Sequence, residues 1–347
     1  MVMDSNGVQI REFTAADAGC WDAYVSAHPD GTFFHLSGWK TVLERAFGHG
    51  THFFLAEQDG AVRGVLPLGR IRSWLFGDAL ISTPFCVYGG PLADDDAVRR
   101  RLEDAACTLA ERLRVDYLEL RNLQRRRTDW PCKELYVTFR KAIDPDPEVN
   151  MAAVPRKQRA MIRKGIKAGV EGRIDPGIGT FFSVYSESVR NLGTPVFPKR
   201  YFQVLREVFG AACEVLTVVR GEQAVGSVMS FYFRDEVIPY YGGGSSGARD
   251  VAGNDFMYWD LMCRATERGV RMFDFGRSKL DVGSFRFKKH WGFEPQPLYY
   301  EYHLVKADRV PDVNPLNPRY RLFIEGWKRL PLGVSRLLGP LLARSLG

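Results

Sequence analysis

The sequence predicts an α/β fold made of two tandem units, each a mixed central sheet flanked by helices. The first observation is an internal repeat, because the hairpin pattern FFLAEQDGAVRGVLPL recurs as VLTVVRGEQAVGSVMS. The second is the order strand, glycine-rich turn, helix, strand, which follows the hairpin in both halves. The order and spacing of four elements agree between the halves, so we predict a duplicated domain. The predicted units are 1–145 and 146–305, followed by a C-terminal tail at 306–347.

Capping and turn signals define the elements of the first half. Ser37 caps a helix that Gly48 ends, and Asp59-Gly60 forms the turn of a hairpin. The acidic run Asp94–Asp96 opens the longest helix. The predicted helices are Ala15–Ala27, Gly38–Phe47 and Ala97–Leu113, and the predicted strands are His52–Ala56, Val62–Ile71, Ala79–Val87, Tyr117–Leu120 and Leu135–Phe139.

The second half begins after the linker Asp144–Pro147 and repeats this order. Its central strand, Val237–Tyr241, runs into a glycine-rich loop, and the basic-aromatic segment Phe285–Phe293 follows its last strand. The predicted helices are Pro155–Glu171, Phe181–Arg190, Lys199–Phe209 and Asn254–Arg268, and the predicted strands are Val215–Arg220, Ala224–Phe233, Val237–Tyr241 and Val270–Phe275.

Composition excludes several classes of protein. Hydrophobic residues make up 45% of the 347 residues, which is enough for packed cores and argues against disorder. The six cysteines have no C-x-x-C spacing, so neither a zinc site nor a redox pair is indicated. The N-terminus has no signal-peptide pattern, and no apolar run approaches the roughly 20 residues of a membrane span. We therefore predict a cytoplasmic protein without a metal site.

Several segments resemble the GNAT acyltransferase fold, and two such units in tandem resemble the Fem family of peptidyltransferases, which add amino acids to cell-wall precursors. RFKKHWGF (286–293) is similar to the family signature F-K-x-x-(F/W)-G, and FFHLSGWK (33–40) to its N-terminal aromatic segment. The basic run 155–171 resembles the helix that opens the second Fem unit. The segment LGTPVFPKRYF (192–202) and the tail resemble a narrower FemAB-like branch associated with the PEP-CTERM exosortase system.

The resemblance implies an acyl- or aminoacyltransferase that acts on an amine or sugar of a cell-envelope or exopolysaccharide precursor. Its donor would be aminoacyl-tRNA or acyl-CoA, with no tightly bound cofactor. Phe197 stands where family members that bind a nucleotide-linked muropeptide have an arginine, so that acceptor is not implied. The loop Arg249–Asn254 has Ala252 and Asn254 in place of the glycines of the acetyl-CoA loop, so acetyl-CoA is not implied either.

Acyl transfer to an amine requires aligned substrates, a stabilised oxyanion and a moved proton, but no covalent nucleophile. The sequence has no G-x-S-x-G elbow, which fits direct attack in a ternary complex. The predicted catalytic residues are Lys288 for electrostatic stabilisation, Tyr241 as a hydrogen-bond donor or proton relay, and Asp274 as general base. The alternatives are a solvated lysine, a core tyrosine, and a structural acid paired with Arg277 or with a backbone N–H.

A second set of residues is predicted to bind substrate. Phe287 would position Lys288, and Arg277 follows a strand at the end where α/β units collect ligands. Tyr201 matches a family tyrosine at the acceptor cleft. The predicted substrate-binding residues are Phe287, Arg277, Tyr240, Tyr201, Lys164 and Trp39.

Two basic segments suggest anionic partners. The segment 155–173 holds seven cations against one acid and favours contact with a tRNA or a phosphorylated substrate over a merely solvated helix face. The tail holds eight cations against three acids together with leucines and Trp327, which is typical of peripheral contact with the inner face of an anionic membrane. Docking of the tail on its own protein is the equal alternative.

An alternative from another functional class is a non-catalytic duplicated GNAT scaffold that binds a membrane-side polysaccharide-synthesis complex. The first half has no counterpart of RFKKHWGF, and we therefore expect the chemistry in the second half. The oligomeric state stays open.

Overall fold

A computed structural model describes residues 7–73, 76–311 and 318–345 of the chain. The strands are β1 (Gln9–Glu12), β2 (Gly50–Gln58), β3 (Ala61–Ser73), β4 (Gly77–Ser82), β5 (Leu92–Ala93), β6 (Tyr117–Asn122), β7 (Cys132–Lys133), β8 (Tyr136–Thr138), β9 (Arg140–Ala142), β10 (Val170–Ile174), β11 (Cys213–Arg220), β12 (Gln223–Phe233), β13 (Glu236–Gly244), β14 (Met272–Asp274), β15 (Ser278–Lys279), β16 (Gln296–Pro297) and β17 (Tyr299–Leu304).

The helices of the described residues are α1 (Ala18–Ala27), α2 (Gly38–Phe47), α3 (Asp96–Leu113), α4 (Pro147–Ala153), α5 (Arg156–Lys167), α6 (Gly179–Leu192), α7 (Lys199–Phe209), α8 (Gly253–Glu267), α9 (Gly283–His290), α10 (Pro318–Lys328) and α11 (Leu332–Ala343). Short 3-10 turns occur at Ala15–Asp17, Phe33–His35, Gly210–Ala212 and Ser246–Arg249.

The chain divides into two compact units whose boundaries differ from the predicted ones. Unit 1 comprises Met1–Tyr136, Pro297–Asp312 and Arg344–Gly347, and unit 2 comprises Val137–Gln296 and Val313–Ala343. The observed division therefore falls after Tyr136 rather than at residue 145, and the predicted tail is shared between the units. The reason is sheet pairing: β9 completes the sheet of unit 2, and β17 returns to the sheet of unit 1. Sequence patterns do not identify the partner of a short strand.

The two units share an arrangement of six strands, of which the first five also follow the same chain order. In unit 1 the strand order is β1-β2-β3-β4-β6-β17-β7, with β5 paired to β3, and only β4 and β6 pair in parallel. In unit 2 the order is β10-β11-β12-β13-β14-β9, and only β13 and β14 pair in parallel. Six strands correspond in order and direction, which confirms the duplication that the repeat predicted.

The glycines after Tyr241 belong to a strand and not to a loop. Strand β13 continues to Gly244, and a Cβ atom added at Gly243 would overlap Ser188 of α6. At Gly244 an added Cβ would lie 2.6 Å from the Cβ of Ala248. These glycines therefore let a helix and a turn approach the strand closely, and the predicted glycine-rich loop is wrong.

Two further predictions differ from the structure. Strand β10 begins at Val170, where the predicted helix Pro155–Glu171 was expected to continue. In unit 1, β4 ends at Ser82, because Thr83 and Phe85 adopt left-handed backbone conformations with φ of 43° and 67°. Such conformations interrupt a strand and are uncommon for residues with these side chains.

The last two helices pack on α6 in unit 2. They bury Trp327, Ser335 and Ala343. The alternative in which the tail docks on its own protein is thus confirmed for one face of these helices. Among the described residues, no helix combines the length and hydropathy required to cross a membrane.

Candidate active site

The candidate site lies in unit 2 around the parallel strands β13 and β14. Their ladder comprises two residue pairs, Glu236 with Met272 and Val237 with Phe273. Strand β13 then continues to Gly244 beyond the last pair. The ends of these two strands are the place where the sequence predicted the catalytic residues.

A β-bulge at Tyr240 changes the direction of side chains along β13. Met229 lies opposite Tyr241, whereas the next residue, Ser230, lies opposite Pro239. Tyr240 is therefore the extra residue on the strand. Bulges of this kind redirect side chains and occur frequently beside functional sites.

Helix α9 places the amine of Lys288 at the C-terminal end of β14. The Nζ atom donates to the carbonyl oxygens of Gly276 at 2.8 Å and Arg277 at 3.0 Å. The side chain is only 8% exposed, so a solvated surface lysine does not describe this position. Burial lowers the pKa of Lys288 to about 7, and the attraction of Asp274 opposes that effect only in part. The amine is therefore divided between its neutral and charged forms near neutral pH.

Asp274 is fully buried beneath the turn that Lys288 contacts. Its Oδ1 atom accepts hydrogen bonds from the Thr138 hydroxyl at 2.8 Å and from the Gly276 backbone N–H at 2.7 Å. Its Oδ2 atom lies 3.7 Å from the guanidinium of Arg140. Arg140 of β9 is thus an ion-pair partner of Asp274, and the Gly276 N–H is a backbone partner of the kind that the sequence analysis also considered. These contacts make Asp274 a group that holds the turn and its carbonyl oxygen in place.

Glu236 is a buried acid in the same neighbourhood that sequence analysis missed. Its carboxylate accepts from Arg140, which thereby bridges it to Asp274. Burial raises the pKa of Glu236, the nearby negative charge of Asp274 adds to the rise, and Arg140 opposes it. The one sequence signal was an acidic residue at the start of an apolar strand. Arg140 precedes the predicted domain boundary, and nothing in the sequence joined it to this site.

Tyr241 lies in an aromatic cluster with helices α6 and α7. Its phenol oxygen is 2.8 Å from that of Tyr201, and both side chains are buried. The rings of Tyr185, Phe202 and Phe197 surround it at centroid distances of 5.8, 5.3 and 5.9 Å. Burial raises the pKa of Tyr241 well above its usual value. The phenol therefore stays neutral and can donate a hydrogen bond but cannot serve as a phenolate base.

Tyr258 on α8 lies between the two groups of predicted residues. Its ring centroid is 5.0 Å from that of Phe275 and 5.6 Å from that of Phe287, the predicted substrate contact. Its hydroxyl would be 3.3 Å from a Cβ atom added at Gly242, which follows Tyr241. The sequence analysis did not select Tyr258, because an aromatic residue in an amphipathic helix has no distinguishing pattern.

Two other predicted substrate contacts lie at the edge of this region. Arg277 is exposed, and its backbone oxygen accepts from Lys288. Tyr240 is half-buried, with its ring centroid 4.7 Å from Tyr241 and 5.3 Å from Phe231. The structure therefore collects Lys288, Asp274 and Arg277 at the end of β14, and Tyr240 and Tyr241 within β13, beyond its last pair with β14.

Lys164 lies on the solvent face of α5. The opposite face of that helix buries Gln158, Ile162 and Gly165, and Gly165 lies close to Phe256 of α8. Throughout residues 7–73, 76–311 and 318–345, no acid forms an ion pair with a cation of α5. The helix therefore presents an uncompensated positive surface.

Trp39 belongs to unit 1, whereas all the other predicted site residues belong to unit 2. Its side chain is fully buried, and its indole N–H donates to the carbonyl oxygen of Phe33 at 3.0 Å. Its ring also packs on those of Phe33 and Phe34. These contacts describe a core residue of unit 1.

The loop before α8 departs from a glycine-rich anion cradle in its conformation as well as its sequence. Ala252 precedes the first residue of the helix, Gly253, and has a left-handed backbone conformation with φ of 51°. An L residue in this conformation costs roughly 1 kcal/mol. Within the described part of the chain, no cluster of side chains is suited to hold a metal ion.

Comparison with known proteins defines the class of this chain. Residues 156–289, all in unit 2, match the acetyltransferase (GNAT) domain family. No curated protein sequence matches the chain. Residues 156–289 are therefore similar to a GNAT acetyltransferase domain, and the protein is an acyltransferase by class.

Several solved structures are similar in fold to this chain. FemX is 15% identical with a TM-score of 0.68, and the match covers 91% of this chain and 100% of FemX. A tandem GNAT protein from the clavulanic acid biosynthesis pathway is 13% identical with a TM-score of 0.53, covering 87% of this chain and 100% of that protein. The C-terminal domain of a putative lysylphosphatidylglycerol synthetase from Agrobacterium fabrum is 13% identical with a TM-score of 0.55, over 83% of this chain and 92% of that domain. At these identities the likeness is one of fold.

Proposed function

We propose that this protein transfers an acyl or aminoacyl group to an amine or sugar on a cell-envelope or exopolysaccharide precursor, by direct attack in a ternary complex. The observation that carries the proposal is the buried amine of Lys288, held at the end of β14 by two carbonyl oxygens. A lysine whose pKa is about 7 can exchange a proton with an acceptor amine near neutral pH.

In this mechanism Lys288 serves first as a base and then as a cation. The neutral amine takes the proton of the acceptor N–H or O–H as the acceptor attacks the acyl carbonyl carbon. The resulting ammonium then stabilises the negative oxygen of the tetrahedral intermediate. The intermediate collapses by breaking the bond to the donor's leaving group, which receives the proton.

The other predicted catalytic residues take supporting roles. Asp274 acts through Lys288, because its contacts hold the Gly276 turn and its charge favours the ammonium form. Tyr241 of β13 contributes a neutral hydroxyl, which it shares with Tyr201 in a hydrogen bond. Phe287, one residue before Lys288 on α9, packs on Tyr258 of α8 and thereby helps to hold α9 in place. Asp274 is thus a positioning residue in this proposal.

The donor in this proposal is an acyl-CoA. The GNAT acetyltransferase domain favours a thioester over an aminoacyl-tRNA, for which only the resemblance to Fem enzymes argues. The cations of α5, including Lys164, supply a positive surface for the phosphates of the donor. Arg277 and Tyr240 remain the proposed contacts with the acceptor.

The acceptor and the cellular location rest on the resemblance of residues 192–202 and the tail to the PEP-CTERM-associated branch. We infer from it an envelope or exopolysaccharide precursor, a cytoplasmic protein, and peripheral contact with the inner membrane face. The chemistry of unit 2 does not depend on these inferences.

A direct test combines donor binding with transfer. Calorimetry with CoA and a set of acyl-CoAs measures binding, and thiol release in the presence of amino-sugar acceptors measures transfer. We expect binding by the wild-type protein and by Lys288→Ala, with transfer lost only in the variant. Undiminished transfer by Lys288→Ala would place the chemistry elsewhere. Absence of binding to every donor would favour the non-catalytic scaffold.

A further inference from the structure

The helices α10 and α11 carry a row of exposed apolar side chains. Leu322 is 84% exposed, Leu337 is 74% exposed and Leu341 is 66% exposed. These values are unusual for leucines of a packed protein, and several exposed apolar side chains on neighbouring elements commonly mark an interaction surface. The apolar face, as we define it, consists of Leu322, Phe323, Val334, Leu337, Leu338 and Leu341.

The opposite face of these helices is held firmly on α6. The guanidinium of Arg336 donates to the Ser186 hydroxyl at 2.8 Å. Arg190 donates to the carbonyl oxygen of Lys328 at 3.2 Å. A Cβ atom added at Gly339 would lie 2.9 Å from the backbone of Val196. The apolar face therefore cannot turn inward without breaking polar contacts and close packing.

Helical spacing makes the exposed residues of α11 a single stripe. Three leucines follow Val334 at intervals of three, four and seven positions, namely Leu337, Leu338 and Leu341. This spacing places all four side chains on one face of the helix. The buried residues Ser335 and Gly339 occupy the other side. Helix α11 therefore packs its small residues against the protein and exposes its leucines to solvent.

The charges beside this face select an anionic partner. Lys328 ends α10 and Arg329 directly follows it, and the exposed Arg344, which follows α11, also donates to the carbonyl oxygen of Phe47 at 3.1 Å. Between residues 322 and 345, Glu325 is the single acid, and it pairs with Lys328. Leucines bordered by cations fit a bilayer with anionic headgroups, which accepts both the apolar side chains and the positive charge.

We propose that the apolar face and its bordering cations dock this protein on an anionic phospholipid bilayer. Trp327 is 4% exposed and packs inward, so the leucines and not the tryptophan enter the interface. This deepens the proposed membrane contact but does not depend on acyl transfer. Vesicle binding and catalysis can therefore fail separately.

The test uses the full chain with sedimentable vesicles of phosphatidylcholine alone or with phosphatidylglycerol. The wild-type protein is expected to sediment with the anionic vesicles, less at high salt, and weakly with neutral ones. The double variant Leu337→Ser/Leu341→Ser should partition roughly ten- to thirtyfold less, because two leucine side chains no longer leave water. The matched control is Val149→Ser, since Val149 is an apolar residue of α4 that is 49% exposed.

Thermal unfolding checks that the double variant retains the wild-type melting temperature, as expected for exposed positions. Arg329→Gln provides a second variant, which should weaken binding to anionic vesicles without altering the weak binding to neutral ones. Equal partitioning of the double variant and the wild-type protein would overturn the proposal. So would a wild-type protein that ignores vesicles but forms a dimer that the double variant dissociates, because a second copy would then cover this face.

Discussion

The amine of Lys288 donates to the carbonyl oxygen of Gly276 at 2.8 Å, within a turn that the buried Asp274 also holds. A carbonyl oxygen accepts from a neutral amine as well as from an ammonium group, so this contact survives proton transfer. The position therefore suits a lysine that changes its charge during a reaction.

Replacement of Lys288 by methionine should abolish most of the acyl-transfer activity. The side-chain volume is similar, but the proton acceptor and the cation are both lost. We expect kcat/KM to fall by roughly 100-fold or more, in the range typical of a general base. The matched control is Lys289→Met, since Lys289 is exposed on the same helix and should stay within about twofold of wild type. Equal losses in both variants would argue for a general effect of charge.

The pH dependence of the reaction should report the same amine. Because burial lowers the pKa of Lys288 to about 7, the neutral form increases as the pH rises through that value. We expect kcat/KM to increase between pH 6 and 8 and to level off above, with the midpoint close to the lowered pKa. The residual rate of Lys288→Met, measured over the same range, should lack this midpoint. A profile of the same shape in both proteins would assign the titration to another group.

The hydrogen bond between Tyr201 and Tyr241 should couple the two residues energetically. Both side chains are buried, so Tyr201→Phe removes the hydrogen-bond partner of the Tyr241 hydroxyl, and each single variant should cost about 1 to 2 kcal/mol of unfolding free energy. The double variant removes both polar groups and should cost less than the sum of the single variants. Urea unfolding of the four proteins measures the coupling. Strictly additive losses would show that the hydroxyls do not depend on each other.

The close packing at Gly243 predicts a specific rescue. Gly243→Ala places a methyl group against the side chain of Ser188 on α6 and should destabilise the protein by about 1 to 3 kcal/mol. Adding Ser188→Gly makes room for the methyl group and should recover part of the loss. The control is Gly247→Ala, because no atom lies within 4 Å of its added Cβ. Equal melting temperatures for Gly243→Ala and Gly247→Ala would contradict this account.

The positive surface of α5 should bind the phosphates of the donor. Arg163→Gln/Lys164→Gln removes two exposed cations and should weaken CoA binding about three- to tenfold, with a smaller effect at high salt. The comparison is Arg100→Gln/Arg112→Gln, which removes two exposed cations of α3 in unit 1. Calorimetry at two salt concentrations distinguishes them. A similar weakening in both double variants would indicate a response to net charge alone.

The predicted elements match best where periodicity and capping agree. The helix predicted at Asn254–Arg268 corresponds to α8, and the hairpin strands predicted at Val215–Arg220 and Ala224–Phe233 correspond to β11 and β12. The strand after α8 is shorter than predicted. Strand β14 comprises only Met272–Asp274, because only these residues form ladder pairs with the neighbouring strands β13 and β9. A hydrophobic run in the sequence indicates which residues are buried, but it does not indicate how many of them form ladder hydrogen bonds with a neighbouring strand.

The candidate site was predictable in part. The signature segment singled out Lys288, and the strand ends singled out Tyr241 and Asp274. Glu236, Arg140 and Tyr258 were missed because their importance comes from neighbours that are distant in the chain. Arg140, for example, reaches Asp274 across 134 positions of sequence, only because β9 pairs with β14.

The sequence by itself determined the duplicated α/β architecture, because hydrophobic period, turn chemistry and repeat spacing are local properties. It also determined which half carries the basic-aromatic segment. Only the tertiary structure decided that Lys288 is buried against two carbonyl oxygens, that the glycines after Tyr241 admit a helix, and that the leucines of α11 face outward. Those facts depend on which surfaces meet when distant segments pack, and desolvation and steric contact arise only there.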